Sequence, residues 1–208
     1  LFIMGENPIV SDPDTSHVEK SLEHLDLLVV QDIFLTETAA LADVVLPAAS
    51  WAEKDGTFSN TERRVQLIKK AVSSPGQAKA DWQILNALGK ALGLKWDYQS
   101  PEKIFEEIAQ VTPSYRGISH ARLAREGSLQ WPCPDKKHPG TPILHTQAFT
   151  RGKGLFAAIE HQEPMERPNT RYPFTLTTGR LLYHYHTRSM TGRSAGVDDL
   201  APKCEVEI

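Results

Sequence analysis

A run of residues near the end of the chain concentrates positive charge and hydrogen-bond donors. Residues 177–194, TTGRLLYHYHTRSMTGRS, contain Arg180, His184, His186 and Arg188 and no acid. Arginine side chains and the backbone amides of glycine-containing turns bind phosphate groups, whereas an HxH pair can bind a metal ion. Because no third metal ligand lies nearby, the run favours an anionic ligand, with a buried structural role for one histidine as the alternative.

A second set of polar residues follows predicted strands or begins a predicted helix. Its members are Gly5, Glu6, Asn7, Gln31, Asp32, Lys54 and Asp81. Glycine permits close backbone approach, and an acid after the second strand of a nucleotide-binding fold accepts ribose or guanine donors. The alternatives are structural: a turn at residues 5–7, capping of LTET (residues 35–38) by Asp32, and a solvated turn at Lys54. Asp81 can also serve as a helix cap.

The elements that would position these residues alternate between strand and helix. Residues 1–4 and 26–32 are apolar, β-rich runs, and a helix with Val18, Leu22 and Leu25 on one side separates them. The short helix TETAALA, capped by Thr36, leads to a third strand over residues 43–48. This order predicts an α/β fold with a doubly wound, mostly parallel sheet whose ligands lie beyond the carboxyl ends of the strands.

The rest of the chain predicts further elements and three regions. Residues 63–72 are expected to be extended, and residues 101–109 are expected to form a helix. Residues 81–92 are expected to form an amphipathic helix that is capped by Asp81 and buries Ile84, Leu85, Leu88 and Leu92. A strand is expected at 155–159 and another from Tyr172 onward. The predicted regions are an α/β cofactor-binding domain (1–127), a linker-like connection (128–170) and the start of a truncated β domain (171–208).

Composition limits the classes of partner. The 23 Lys and Arg residues against 26 Asp and Glu residues give a formal charge of −3, which disfavours nucleic acid. No apolar stretch approaches the roughly 20 residues that span a bilayer. The two cysteines, Cys133 and Cys204, form neither a CxxC motif nor a disulfide framework, so we expect a reducing compartment, the cytoplasm. Strand-like runs at both ends, LFIM and CEVEI, predict a piece of a longer chain.

Three segments together resemble one known family. The segments are MGENP, VVQDIFLTETAALADVVLPAASWAEKDGTFSNTERRVQ and TTGRLLYHYHTRSMTGRS. In their order and spacing they are similar to molybdopterin oxidoreductases of the dimethyl sulfoxide reductase type. SLQWPCP and HTRSMTG are most similar to the catalytic alpha subunits of molybdenum- or tungsten-dependent formate dehydrogenases, although nitrate reductases share much of the same frame. A stand-alone nucleotide- or cofactor-binding module without redox activity is the alternative of another class.

The resemblance implies a cofactor and partners. It implies a C-terminal part of a longer subunit that binds two molybdopterin guanine dinucleotides around molybdenum or tungsten, with the metal ligand and an iron–sulfur cluster on upstream sequence. It implies electron-transfer subunits as partners, a β-barrel-type C-terminal domain, and no activity for this part alone. The residues expected to bind the cofactor are Gly5, Glu6, Asn7, Gln31, Asp32, Lys54, Asp81, Thr178, Gly179, Arg180, His184, His186, Thr187 and Arg188. No residue here is expected to be catalytic or to bind the metal.

Overall fold

A computed structural model describes residues 1–206 of the chain. The described residues divide into two compact units, residues 1–144 and the residues from 145 onward. None of the helices in residues 1–206 is long and apolar enough to cross a membrane. The strand-like run expected at residues 204–208 includes residues 207–208, which lie outside the described residues.

The first unit begins with a three-stranded parallel sheet. Its strands β1 (Phe2–Met4), β2 (Val29–Asp32) and β3 (Val44–Pro47) lie in the order β1-β2-β3, with Val30 paired to Ile3 on one side and to Val45 on the other. Helices α1 (Pro8–Ser11), α2 (Thr15–Glu23) and α3 (Glu37–Leu41) connect them. The buried side chains Ile3, Leu22, Leu28, Val30 and Ala39 form one core cluster. The predicted α/β order is therefore confirmed, and so is the cap at Thr36, whose hydroxyl accepts from the Ala39 amide at 3.2 Å.

A second, antiparallel sheet follows in the same unit. Strands β4 (Gly56–Ser59), β5 (Arg64–Ile68) and β6 (Ser128–Gln130) lie in the order β4-β5-β6, and helices α4 (Asp81–Ala91), α5 (Pro101–Val111) and α6 (His120–Glu126) accompany them. The core cluster beside this sheet contains Val65, Phe105, Ile118, Leu123 and Leu129. The extended segment at residues 63–72 and the helix at 101–109 are confirmed. Residues 128–144, expected in the connection, include β6 and belong to the first unit.

Helix α4 differs from its prediction in two respects. Asp81 is the first residue of the helix and Ala80 occupies the N-cap, so the predicted cap at Asp81 is wrong. Leu88 and Leu92 are exposed, and the ring of Trp96 lies against the helix at Gly89, where a Cβ would come within 2.1 Å of Trp96 Cε3. The buried stripe therefore contains Ile84 and Gly89, and it turns away from Leu88 and Leu92.

The second unit has little regular structure among its described residues. A 3₁₀ turn (Thr191–Arg193) and helix α7 (Ala195–Asp198) are its helical elements, and no closed barrel forms within residues 145–206. The strands expected at residues 155–159 and from Tyr172 are wrong for this structure: Phe156 is fully exposed and Leu176 is 84% exposed. A strand requires a neighbour for its backbone groups and for its apolar face, and these segments have neither in the described residues.

Candidate functional site

Three predicted site residues from distant parts of the sequence form one chain of side-chain contacts. Gln31, which is fully buried in β2, donates from Nε2 to Asp81 Oδ1 at 2.8 Å. The other carboxylate oxygen of Asp81 accepts from the ammonium group of Lys54. The side chains of Lys54 and Asp81 are 24% and 33% exposed, so this chain leads from the core to solvent. The structure therefore brings together Gln31, Lys54 and Asp81.

The backbone explains why these three residues meet. Gln31 lies near the carboxyl end of the central strand, between Met4 and Leu46. The segment before α4 runs beside the end of β3, since Lys79 N donates to Pro47 O at 3.1 Å and Ala49 N donates to Lys79 O at 2.8 Å. This contact carries Asp81 to the carboxyl edge of the sheet, where α/β proteins bind ligands.

A 3₁₀ turn places Lys54 at the same edge. The turn covers Trp51–Glu53, and Glu53 folds back so that its Oε2 accepts from Ser50 N at 2.9 Å. Two further amides, those of Ala71 and Val72, donate to Ala52 O at 2.7 and 3.1 Å. Lys54 therefore projects from a turn whose backbone is fixed on both sides.

Gln31 retains one unused polar atom. Its Oε1 is buried and accepts no hydrogen bond from any residue in the described part of the chain. Buried polar groups in proteins are almost always hydrogen-bonded, to protein, water or ligand. Gln31 itself has no exposed surface, so a ligand would contact this edge through the partly exposed Asp81 and Lys54. A carboxylate beside an ammonium group suits a ligand that offers N–H donors and carries negative charge, as a nucleotide-containing cofactor does.

A cleft of about 230 Å³ adjoins Lys54 and Asp81. The remainder of its wall is mainly apolar and comes from β4, β5, α4 and α5: Phe58, Ile68, Trp82, Ile104, Phe105 and Ile108, with Asp55, Gly56, Thr57 and Pro101. Pockets that enclose a small ligand usually measure about 300–1,000 Å³, so this cleft could enclose only part of a dinucleotide.

The turn after β1 is held to the start of α3 through Asn7. Asn7 is buried, and its Oδ1 accepts from the Thr38 hydroxyl at 2.8 Å and the Thr38 amide at 3.2 Å, while its Nδ2 donates to Glu37 Oε2 at 2.9 Å. Gly5 has φ +64° and donates its amide to Gln31 O at 2.9 Å. The side chain of Glu6 accepts from Ser11 Oγ at 3.0 Å. The turn therefore contacts β2 at Gln31, whereas the Asn7 side chain faces the protein interior.

Asp32 contacts the turn directly after β2, at residues that precede the segment it was expected to cap. Its Oδ1 accepts from the amides of Ile33 and Phe34, at 2.6 and 3.3 Å, so it stabilises the turn that follows β2. Its role in cofactor binding stays a prediction.

The arginine- and histidine-containing run lies in the second unit, and several of its groups have partners there. His184 Nε2 donates to Ala201 O at 2.7 Å, and His184 Nδ1 shares a hydrogen bond with Thr191 Oγ1 at 2.9 Å. Arg188 forms an ion pair with Asp198, which lies just beyond the run. His186 packs edge-on against Tyr185, with ring centroids 4.3 Å apart. The structural alternative for a histidine therefore applies to His184.

The remaining members of the run are more exposed. Thr187 shares a hydrogen bond with Ser189 Oγ at 3.2 Å. Arg180 is exposed and lines a shallow cleft of about 410 Å³ together with Leu181, Leu182, His184, Tyr185 and His186. Thr178 and Gly179 lie in the extended, exposed segment that precedes Arg180. Arg180 makes no ion pair within residues 1–206, so it is the available cation of this run.

The structure adds Glu37 and Thr38, which sequence reasoning missed. Thr38 is fully buried although it is polar, and its hydroxyl also accepts from Ile9 N at 3.3 Å. The sequence signal was present in TET, because a Thr cap followed by an acid is typical of the first turn of a helix. It gave no indication that the next threonine contacts a residue 31 positions earlier.

Comparison with known proteins identifies the first part of the chain. Residues 1–91 match the family model for molybdopterin oxidoreductase, and this range contains Gln31, Lys54 and Asp81. Residues 1–91 are thus similar to the molybdopterin oxidoreductase family. The resemblance read from the sequence is thereby confirmed.

Proteins similar to this chain include formate dehydrogenase alpha subunits and a nitrate reductase catalytic subunit. An F420-dependent formate dehydrogenase subunit alpha of Methanocaldococcus jannaschii is 60% identical over 93% of the chain, and a subunit alpha of Methanococcus maripaludis is 54% identical over all of it. The assimilatory nitrate reductase catalytic subunit of Bacillus subtilis is 43% identical over 95% of the chain. The chain spans 29%, 31% and 29% of the lengths of these three relatives.

A solved structure shares the fold of part of this chain. Acetylene hydratase from Pelobacter acetylenicus matches with a TM-score of 0.51 at 22% sequence identity, over 62% of this chain and 18% of that one. At this identity the likeness concerns the fold alone.

Proposed function

We propose that the chain is the C-terminal, cofactor-binding part of the catalytic subunit of a formate dehydrogenase. Formate dehydrogenase alpha subunits are 60% and 54% identical to the chain, whereas the nitrate reductase subunit is 43% identical. The observation that carries the proposal is the buried, unused Oε1 of Gln31 beside the Lys54–Asp81 pair, at the carboxyl end of a strand in the family domain.

The proposed ligand is a molybdopterin guanine dinucleotide with molybdenum or tungsten. Its guanine and pterin groups offer N–H donors, which Asp81 would accept, and Lys54 would attract its pyrophosphate. When bound, this group supplies the two-electron oxidation of formate to carbon dioxide. The residues of this chain bind and orient it, and none of them forms or breaks a bond of the substrate.

The second unit extends the proposal to residues 178–188. Arg180, as an exposed cation without an ion pair in residues 1–206, is suited to bind a phosphate group. Thr178, Gly179, His186 and Thr187 supply hydroxyl, amide and imidazole groups on the same segment. His184 contributes by holding the segment in place through Thr191 and Ala201.

The proposal also includes the parts of the enzyme that a longer chain would supply. In that chain, the parallel sheet would become doubly wound, residues 171–208 would begin a β-barrel-type domain, and an iron–sulfur cluster would pass electrons to partner subunits. The free thiols of Cys133 and Cys204 are consistent with a cytoplasmic location, where thiols remain reduced.

Two measurements on the complete subunit, purified without oxygen, test the function. Dye-linked turnover with formate and with nitrate distinguishes the two reactions, and we expect formate to be the substrate. Acid hydrolysis should release GMP together with a pterin and molybdenum or tungsten. Nitrate turnover without formate turnover would instead favour the nitrate reductase reaction, and a subunit without pterin would contradict the proposal.

A variant tests the residue that carries the proposal. Gln31→Met preserves side-chain length and removes both polar atoms, so it should leave the fold intact and lower the bound pterin several-fold. Gln66→Met, at an exposed position of β5, is the matched control and should bind as the parent protein does. Equal pterin content in Gln31→Met and the parent would show that Gln31 is not part of the binding site.

A further inference from the structure

Glu37 lies next to the turn that precedes the proposed cofactor site. Its Oε2 accepts from Asn7 Nδ2 at 2.9 Å, and Asn7 is the buried residue at the end of the turn formed by residues 5–7. We propose that Glu37 is a positioning residue, which fixes this turn for cofactor binding by orienting the side-chain amide of Asn7. This inference rests on the proposed function.

The chemistry of the neighbours leaves the Asn7 amide one orientation. The Thr38 backbone N–H can only donate, so it requires the amide oxygen of Asn7. A Glu37 carboxylate oxygen accepts this hydrogen bond, so it requires the amide nitrogen. A flipped amide would lose both contacts at once and would direct Oδ1 at a carboxylate. Glu37 and Thr38 therefore select the same rotamer from opposite sides.

The orientation of Asn7 extends to the backbone of the turn. The main-chain oxygen of Asn7 accepts from the amides of Val10 and Ser11, at 2.9 and 3.0 Å, so the residue also begins α1. Two residues earlier, Gly5 N donates to Gln31 O at 2.9 Å. The turn therefore lies between the α3 anchor, made of Glu37 and Thr38, and the residue that holds the unused buried acceptor.

This arrangement explains why a buried polar network is present beside an apolar core. Asn7 and Thr38 are 6% and 0% exposed, and each would cost free energy if its partner were missing. Apolar residues of similar size could pack there without that cost, but they would not fix the amide or the turn. Buried hydrogen-bonded side chains of this kind orient residues that contact a ligand or cofactor.

Three variants of Glu37 in the complete subunit test the inference. Glu37→Ala removes the acceptor, Glu37→Asp withdraws it by one methylene, and Glu37→Gln keeps an oxygen that can accept from Asn7. We expect the rate of pterin loss during gel filtration to rise at least five-fold in Glu37→Ala, less in Glu37→Asp, and little in Glu37→Gln. Glu19→Ala, on the exposed face of α2, is the control and should match the parent.

A second readout separates positioning from general stability. The melting temperature of the pterin-free subunit should be similar in Glu37→Gln and the parent. Glu37→Asp should lose pterin faster than the parent while its melting temperature stays close to that of the parent. Unchanged pterin retention in Glu37→Ala, or equal losses in Glu37→Gln and Glu37→Ala, would overturn the inference. A parent subunit that contains no pterin would instead contradict the proposed function itself.

Discussion

Replacing Asp81 should reveal how much of the site's stability comes from its buried hydrogen bond. In Asp81→Ala, Gln31 Nε2 loses its acceptor in a fully buried position, which costs about 1–3 kcal/mol. The ion pair with Lys54 is a quarter to a third exposed, so its loss adds only about 0.2–1 kcal/mol. We expect the free energy of unfolding to fall by about 1–4 kcal/mol in total. Asp81→Asn keeps an oxygen that accepts from Gln31, so its free energy of unfolding should fall by about 1 kcal/mol or less.

Urea unfolding followed by tryptophan fluorescence measures this difference, because Trp82 adjoins the substituted residue. Asp97→Ala is the matched control, since it removes an ion pair with Lys90 whose two side chains are exposed, and it should leave the midpoint unchanged. Equal destabilisation by Asp81→Asn and Asp81→Ala would refute the reasoning, because the stability would then come from the charge of Asp81 and not from its buried hydrogen bond.

Two further predictions concern the first unit. Arg122→Met should lower the free energy of unfolding by about 1–3 kcal/mol in urea unfolding, because Gly117 O and His138 O, which accept from the buried guanidinium at 2.9 and 2.6 Å, lose this donor. Burial lowers the pKa of His120, so unfolding takes up a proton and stability should fall as the pH drops from 6.5 towards the folded-state pKa. His120→Phe should abolish that part of the pH dependence; an unchanged profile would show that another group titrates.

The elements that the sequence predicted well are those with a strong local signal. The apolar runs at residues 1–4 and 26–32 require burial, and Ser100 followed by Pro101 marks the start of α5 as an N-cap and first helical residue. Strands β4 and β6 lack such a signal, because GTFS and SLQ have four and three residues and little apolar alternation. They form strands because β5 pairs with both of them, and pairing across 64 residues leaves no trace in a short window.

The same distinction applies to the candidate site. Topology predicted that residues following the strands would meet at one edge of the sheet, which Gln31 and Lys54 do, whereas Asp81 joins them from the start of helix α4. The partner of each polar atom was beyond prediction, because the Gln31–Asp81 contact joins residues 50 positions apart. Asp32 and Asn7 show the consequence: both lie at the predicted edge, yet one caps its own turn and the other faces the α3 anchor.

The start of helix α4 shows how the sequence favours the site over local stability. Aspartate is among the best N-cap residues and alanine among the poor ones, with a difference of about 1 kcal/mol. The helix nevertheless has Ala80 at its cap and Asp81 one residue later, where Gln83 Oε1 accepts from Ala80 N at 3.2 Å as a partial substitute. A shift of one residue frees the carboxylate from the helix amides, so that both of its oxygens contact Gln31 and Lys54. Departures from local rules of this kind concentrate at functional sites, which supports placing the ligand at Asp81.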